Sequence, residues 1–136
     1  MRSLKKDKKT LYISKRLPAT PILDDEGVET GEYAKVYDEW VRLNLDVKPI
    51  SDAKEEQMFG EDSDKTLKIT YTLYDSNNFE IENYCAVWLD VEPNGILTDI
   101  DNNNPMNNNY TVIKTINFGS QNVAYIKRIV GFKDEN

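Results

Sequence analysis

Val41-Arg42-Leu43-Asn44-Leu45-Asp46-Val47-Lys48 alternates apolar and polar side chains without a break. Successive side chains of a strand point to opposite faces, so a period of two predicts a strand with one face in the core and the other in water. The pattern returns at 66–74, where Leu67, Ile69, Tyr71 and Leu73 oppose Thr66, Lys68, Thr70 and Thr72, residues suited to a pleated surface. Over 84–91, Cys85, Val87, Leu89 and Val91 share one side while Tyr84, Ala86 and Trp88 share the other. Both sides are largely apolar, which predicts a central strand covered on both faces. Residues 110–118 and 123–132 are two more β-rich runs, and Gly119-Ser120-Gln121-Asn122 between them has hairpin length and turn-forming residues, so the two are expected to pair antiparallel. A shorter strand over 11–16 is cut off by Pro18 and Pro21, which cannot donate to a ladder.

One short helix breaks this β pattern. Ser51 or Asp52 can cap it, Glu55 stands three residues after Asp52 as in a capping box, and Gly60 is placed to end it after about two turns. Two connections are long for a domain of this size: 17–32, with the acidic turn Asp24-Asp25-Glu26-Gly27, and 92–109, with its asparagine cluster. Loops of that length usually act on something. The expected fold class is mainly β, a small antiparallel β-barrel or sandwich of about six strands with one short helix and two long loops. At 136 residues the chain is close to the modal size of one domain. We divide it into a basic N-terminal arm at 1–10, a single barrel domain over 11–132, and a tail at 133–136.

The charges are segregated. Residues 1–16 hold seven basic side chains (Arg2, Lys5, Lys6, Lys8, Lys9, Lys15, Arg16) against Asp7, a net of +6, so the rest of the chain carries −13 of the total −7. An acidic body repels nucleic acid, because non-specific affinity comes from phosphate neutralisation, and only the arm could touch phosphate. The arm reads first as a solvated or partner-docking tail. No apolar run approaches the roughly 20 residues of a bilayer span, and no apolar segment with a small-residue cleavage site follows the basic start, so neither a membrane protein nor a secreted one is expected.

Chemistry has few places to reside. The chain has no histidine, which removes the usual zinc clusters and histidine-based triads, and its one cysteine, Cys85, cannot form an internal disulfide. Cys85 sits in an apolar strand without a neighbouring base and reads as a buried, inert thiol. Carboxylate pairs such as Asp24/Asp25, Asp38/Glu39, Glu80/Glu82 and Asp90/Glu92 are too common in this sequence to single out any one as catalytic. The stretch Asp99-Ile100-Asp101-Asn102-Asn103-Asn104-Pro105-Met106-Asn107-Asn108-Asn109 resembles the start of a calcium loop, but an EF-hand beginning at Asp99 needs Gly and Glu where Asn104 and Tyr110 stand. Asn and Asp are ordinary loop residues, so we expect a solvated or partner-contacting loop. Tyr84, Trp88 and Trp40 could form a sugar-stacking platform, though aromatics in alternating strands are more often core or interface anchors. No cofactor, metal or catalytic residue is expected.

In order and spacing the landmarks from about 11 to 131 resemble the head–tail connector proteins of long-tailed bacteriophages, specifically the head-closure or stopper class. They run from Leu11-Tyr12-Ile13-Ser14-Lys15-Arg16 through Asp24-Asp25-Glu26-Gly27, Tyr33 and the extended segment ending at Pro49 to Phe59-Gly60. Ile69, Ile81-Glu82, Val87-Trp88-Leu89-Asp90, Tyr110-Thr111-Val112 and Asn122-Val123-Ala124-Tyr125-Ile126 follow. The resemblance implies a non-enzymatic virion protein, assembled in the host bacterial cytoplasm into a six- or twelve-fold ring of the phage neck. Its partners would be other copies of itself, the portal or adaptor ring above, and the tail terminator or tail tube below. Packaged DNA would pass through the lumen without sequence-specific binding, repelled by acidic walls. The same landmarks leave open the other ring-forming neck components, the adaptor under the portal and the tail terminator.

The resemblance assigns ring or lumen contacts to Asp24, Asp25, Glu26, Asp99, Asp101, Asn102, Asn103, Asn104, Asn107 and Asn108, and partner docking to Arg2, Lys5, Lys6, Lys8 and Lys9. A long loop such as 92–109 or 17–32 projecting into the channel would block the DNA, and deletion of 102–109 is expected to spare folding while altering DNA retention or tail docking. The competing function is a β-sandwich module for carbohydrate or calcium, built on Trp88, Tyr84 and the asparagine loop.

Overall fold

A computed structural model describes residues 8–50, 52–99, 105–117 and 119–129. Its strands are β1 (Lys8–Ser14), β2 (Arg16–Leu23), β3 (Glu29–Tyr37), β4 (Val41–Pro49), β5 (Thr66–Tyr71), β6 (Ala86–Leu89), β7 (Tyr110–Asn117) and β8 (Asn122–Arg128), with one helix, α1 (Ala53–Phe59). Six of them close into an antiparallel barrel in the order β1-β4-β5-β8-β7-β6, because β1 pairs with β4 on one side and β6 on the other. Leu11 lies opposite both Leu43 and Leu89, so the alternation seen at 41–48 aims into the barrel. Leu11, Ile13, Leu45, Ile69, Val87, Val112 and Ile126 fill the interior at 0–1% exposure. A barrel of so few strands is packed solid by its side chains.

Two coverings lie on the outside of the barrel wall. Trp88 points out of β6 yet is fully buried, and its indole N–H donates to Asn107 Oδ1 at 2.7 Å. Two strands further round the barrel, Tyr125 of β8 lies beneath α1, with its ring 4.8 Å from that of Phe59. Asp52 caps α1 by accepting from the Lys54 backbone N–H, and Gly60 ends it with φ 57°. Glu55 turns inward to accept a 2.5 Å hydrogen bond from the Tyr125 hydroxyl instead of closing a capping box. A short 3₁₀ turn, Gly60–Lys65, leads from the helix into β5.

The structure corrects several boundaries. Residues 17–32 are a two-stranded ribbon, β2 against β3, standing apart from the barrel sheet, rather than a loop. Pro18 and Pro21 fit there because the register shifts between Leu17 and Thr20 and again between Pro21 and Leu23. A ribbon strand also has a free edge where a missing N–H is harmless. The first barrel strand begins at Lys8, so Lys8, Lys9 and Thr10 of the expected arm pair with Asp46, Leu45 and Asn44. The strand expected over 66–74 stops at Tyr71, because Asp75 and Thr72 exchange backbone–side-chain hydrogen bonds at 3.1 Å and turn the chain. The strand expected over 84–91 is four residues long, bounded by Tyr84 and Asp90 in left-handed conformations at φ 71° and 60°. β7 and β8 pair as expected, while the ends of those runs at 118 and 130–132 lie outside the described residues.

Candidate functional site

The ribbon takes its shape from Asp24. Its Oδ1 accepts from the backbone N–H groups of Glu26 and Val28, both at 2.9 Å, and Gly27 supplies the left-handed residue at φ 80°. Asp24 is therefore consumed in building the turn, while Asp25 and Glu26 face solvent. From Leu17 to Ala34 the ribbon carries five carboxylates and no cation. It also exposes Leu17, Leu23, Val28 and Tyr33, the last three more than half accessible. Apolar side chains rimmed by charge mark a surface that meets another molecule.

The root of the ribbon is stitched to the second long segment. Tyr37 N–H donates to Leu97 O at 2.8 Å, Lys35 N–H to Asp99 Oδ1 at 2.7 Å, and Asp99 N–H to Lys35 O at 3.2 Å. Val36 and Thr98 form an antiparallel bridge between these bonds. On the other side of the root, Asp38 N–H donates to Lys15 O at 2.8 Å and the Arg16 guanidinium sits 5.7 Å from the centre of the Tyr84 ring. The two segments expected to act as separate loops thus form one unit.

The asparagines divide by role. Asn107 accepts from Trp88 and from the Asn94 N–H, and donates to Glu92 O at 2.8 Å. Asn109, buried, brackets Leu89 by accepting from its N–H at 2.9 Å and donating to its C=O at 2.8 Å. Asn108 donates to Tyr110 O at 3.2 Å. These are fastenings of β6 to β7, so the expectation that 102–109 could be deleted without harm to folding is corrected. Asp99 is equally spent on β3. Asp101, Asn102, Asn103 and Asn104, with Arg2, Lys5 and Lys6, lie outside the described residues. Lys9 is exposed, and Lys8 holds Asp75 at 3.8 Å.

That last pair opens onto a feature the sequence did not disclose. An open cleft of about 600 Å³ runs over β4 and the turn after β5, lined by Lys8, Arg42, Asn44, Leu73, Tyr74 and Asp75 among others. Tyr74 stands 90% exposed at its rim. Arg42 and Asn44 belong to the wet face of the alternation at 41–48, and Lys8 reaches them across the β1–β4 pairing. Only the strand pairing assembles them, and no local motif could have.

Elsewhere the polar groups are structural. Burial alone would raise the Glu55 carboxyl, but hydrogen bonds from Tyr125 and Lys68, together with the Lys68 charge at 2.9 Å, hold it below the ordinary carboxylate range. Burial and the Glu55 carboxylate push the Tyr125 hydroxyl far up. Burial likewise raises the Cys85 thiol, as expected of an inert cysteine. Trp88 is enclosed and cannot serve as a stacking platform, and Trp40 packs edge-on to Tyr12 at 5.0 Å. Among the described residues no group of three or more Cys, Asp or Glu side chains is placed to hold a metal, and no helix is long and apolar enough to cross a membrane. Compared with family models, curated proteins and solved structures, the chain finds no match in any of the three.

Proposed function

We propose that the chain is a structural, non-enzymatic ring subunit of the neck of a long-tailed bacteriophage, of the head-closure class, which helps retain packaged DNA and docks the tail. The observation that carries this reading is the ribbon: a closed barrel has no sheet edge to offer, and much of the apolar surface left outside it is gathered on β2 and β3 beside an acidic turn. Ring subunits need two different, mutually complementary patches, because each contact in a cyclic ring is heterologous. The solid interior of the barrel puts any DNA path between copies, not through one, and an acidic body around that path lets a duplex slide without adhering. Portal or adaptor above and tail terminator or tube below are the further partners.

Cryo-electron microscopy of intact particles that encode this chain tests the proposal. The expected result is a six- or twelve-fold ring between portal and tail whose subunit density fits the barrel with its ribbon. A neck fully accounted for by other proteins overturns it.

A further inference from the structure

We infer that the acidic turn of the ribbon docks into the cleft on β4 of a second copy of this chain, a contact that rests on the ring reading above and specifies it. Charge is the first argument. The turn presents Asp25 and Glu26, with Glu29 and Glu32 following on β3 and no cation from Leu17 to Ala34. The cleft presents the exposed Arg42, with Lys8 beside it paired to the cleft's one carboxylate, Asp75, at 3.8 Å. Opposite potentials of this kind choose partner and register.

Apolar surface agrees with charge. Leu73 and Tyr74 stand exposed at the cleft, and Leu23 and Val28 stand exposed on either side of the acidic turn. Aromatic and aliphatic anchors inside a charged rim are the usual composition of a contact between proteins.

The ribbon root is bonded to 97–99, which follows β6, whereas the cleft lies on β4 and the turn after β5. The ribbon also leaves the end of β1 and re-enters the barrel at Val41, one residue before Arg42, so its root stands beside the cleft while its tip lies the length of the ribbon away. A contact of projection with recess then passes from copy to copy and closes as a ring. Strand addition at the free edge of β2 is disfavoured, because Pro18 and Pro21 have no N–H to donate. On this edge the contact falls to side chains. With strands of eight and nine residues the ribbon extends about 25 Å from its root, ample to span the gap between neighbouring barrels.

The test is charge reversal on the full chain, read by sedimentation velocity and native mass spectrometry up to millimolar concentration. Asp25→Lys with Glu26→Lys alters the tip while leaving Asp24, which builds the turn, in place. Arg42→Glu alters the cleft, and Lys114→Glu on β7 controls for net charge. Each of the first two is expected to weaken self-association tenfold or more, and the chain carrying both is expected to recover it. A wild-type chain that associates while the tip and cleft variants match the Lys114→Glu control overturns this contact and leaves the ring standing. A wild-type chain that stays monomeric at millimolar concentration overturns the contact as well, and the ring itself then falls or stands on the particle images.

Discussion

Asn109 joins two strands that hardly pair by backbone. β6 and β7 share only the Ala86–Thr111 and Val87–Tyr110 positions, and beyond them the Asn109 amide takes the place of a backbone group against both N–H and C=O of Leu89. Asn109→Ala leaves both groups unsatisfied in a buried site, so urea unfolding should show a loss of about 2–6 kcal/mol, from roughly 1–3 kcal/mol for each orphaned group. Asn108→Ala, whose side chain makes one longer bond, should cost about 1 kcal/mol or less. An asparagine run gives no sign of this division, because what Asn107 and Asn109 bind is decided by backbone lying 15 to 20 residues away, whereas Asn108 binds only its near neighbour Tyr110. Glu55 makes the residue scale pH-dependent. Its carboxyl is held below the usual value of 4.5, so the folded state binds fewer protons than the unfolded one, and the contribution is complete above about pH 4.5 and disappears as pH falls through the lower folded value. Acid unfolding of Glu55→Gln should be flatter across that window than wild type. A parallel pair of curves would mean that the Tyr125 and Lys68 contacts do not favour the ionised form.

At the scale of elements, the ribbon and the barrel are stabilised by different things, and they should melt separately. β2 and β3 bury Ala34 but leave Leu17, Leu23, Val28 and Tyr33 outside, so the turn rests on Asp24 and on the three bonds to 97–99. Asp24→Ala should speed hydrogen exchange at Glu26, Val28 and their hairpin neighbours by about tenfold, equivalent to roughly 1.4 kcal/mol, with little change in exchange at Leu45 or Ile126 in the barrel. Uniform acceleration would show that the two units unfold together. The same difference explains what could be read in advance. Strands such as β4 have one wet and one dry face, and burial imprints a period of two on the sequence. The ribbon is wet on most of both faces, so nothing selects alternation, and its two prolines, tolerable on a free edge, imitate a loop. Helix α1 was readable because its ends are local chemistry, Asp52 before it and Gly60 after it.

For the molecule as a whole, the decisive quantity is where charge sits relative to the closed wall. Six β-rich runs leave barrel and sandwich both open, and closure, like the cleft, follows from strand order, which no single run encodes. Of the seven cations in 1–16, Lys8 is turned toward Asp75, Lys15 lies 5.2 Å from the Phe79 ring and Arg16 lies beside Tyr84. DNA affinity should therefore be poor and confined to the first residues. In 150 mM salt the full chain should bind a short duplex more weakly than a Kd of about 0.1 mM, the weak end of non-specific binding. At low salt, where binding can be measured by fluorescence anisotropy, replacing Arg2, Lys5 and Lys6 with Gln should remove about three phosphate contacts and make the slope of log K against log salt shallower by about 2.7. Arg42→Gln should leave that slope unchanged if the cleft takes the carboxylates of another copy, as proposed above. A slope that depends on Arg42 would assign the cleft to phosphate, and a duplex bound tightly at physiological salt would contradict a subunit built to let DNA pass.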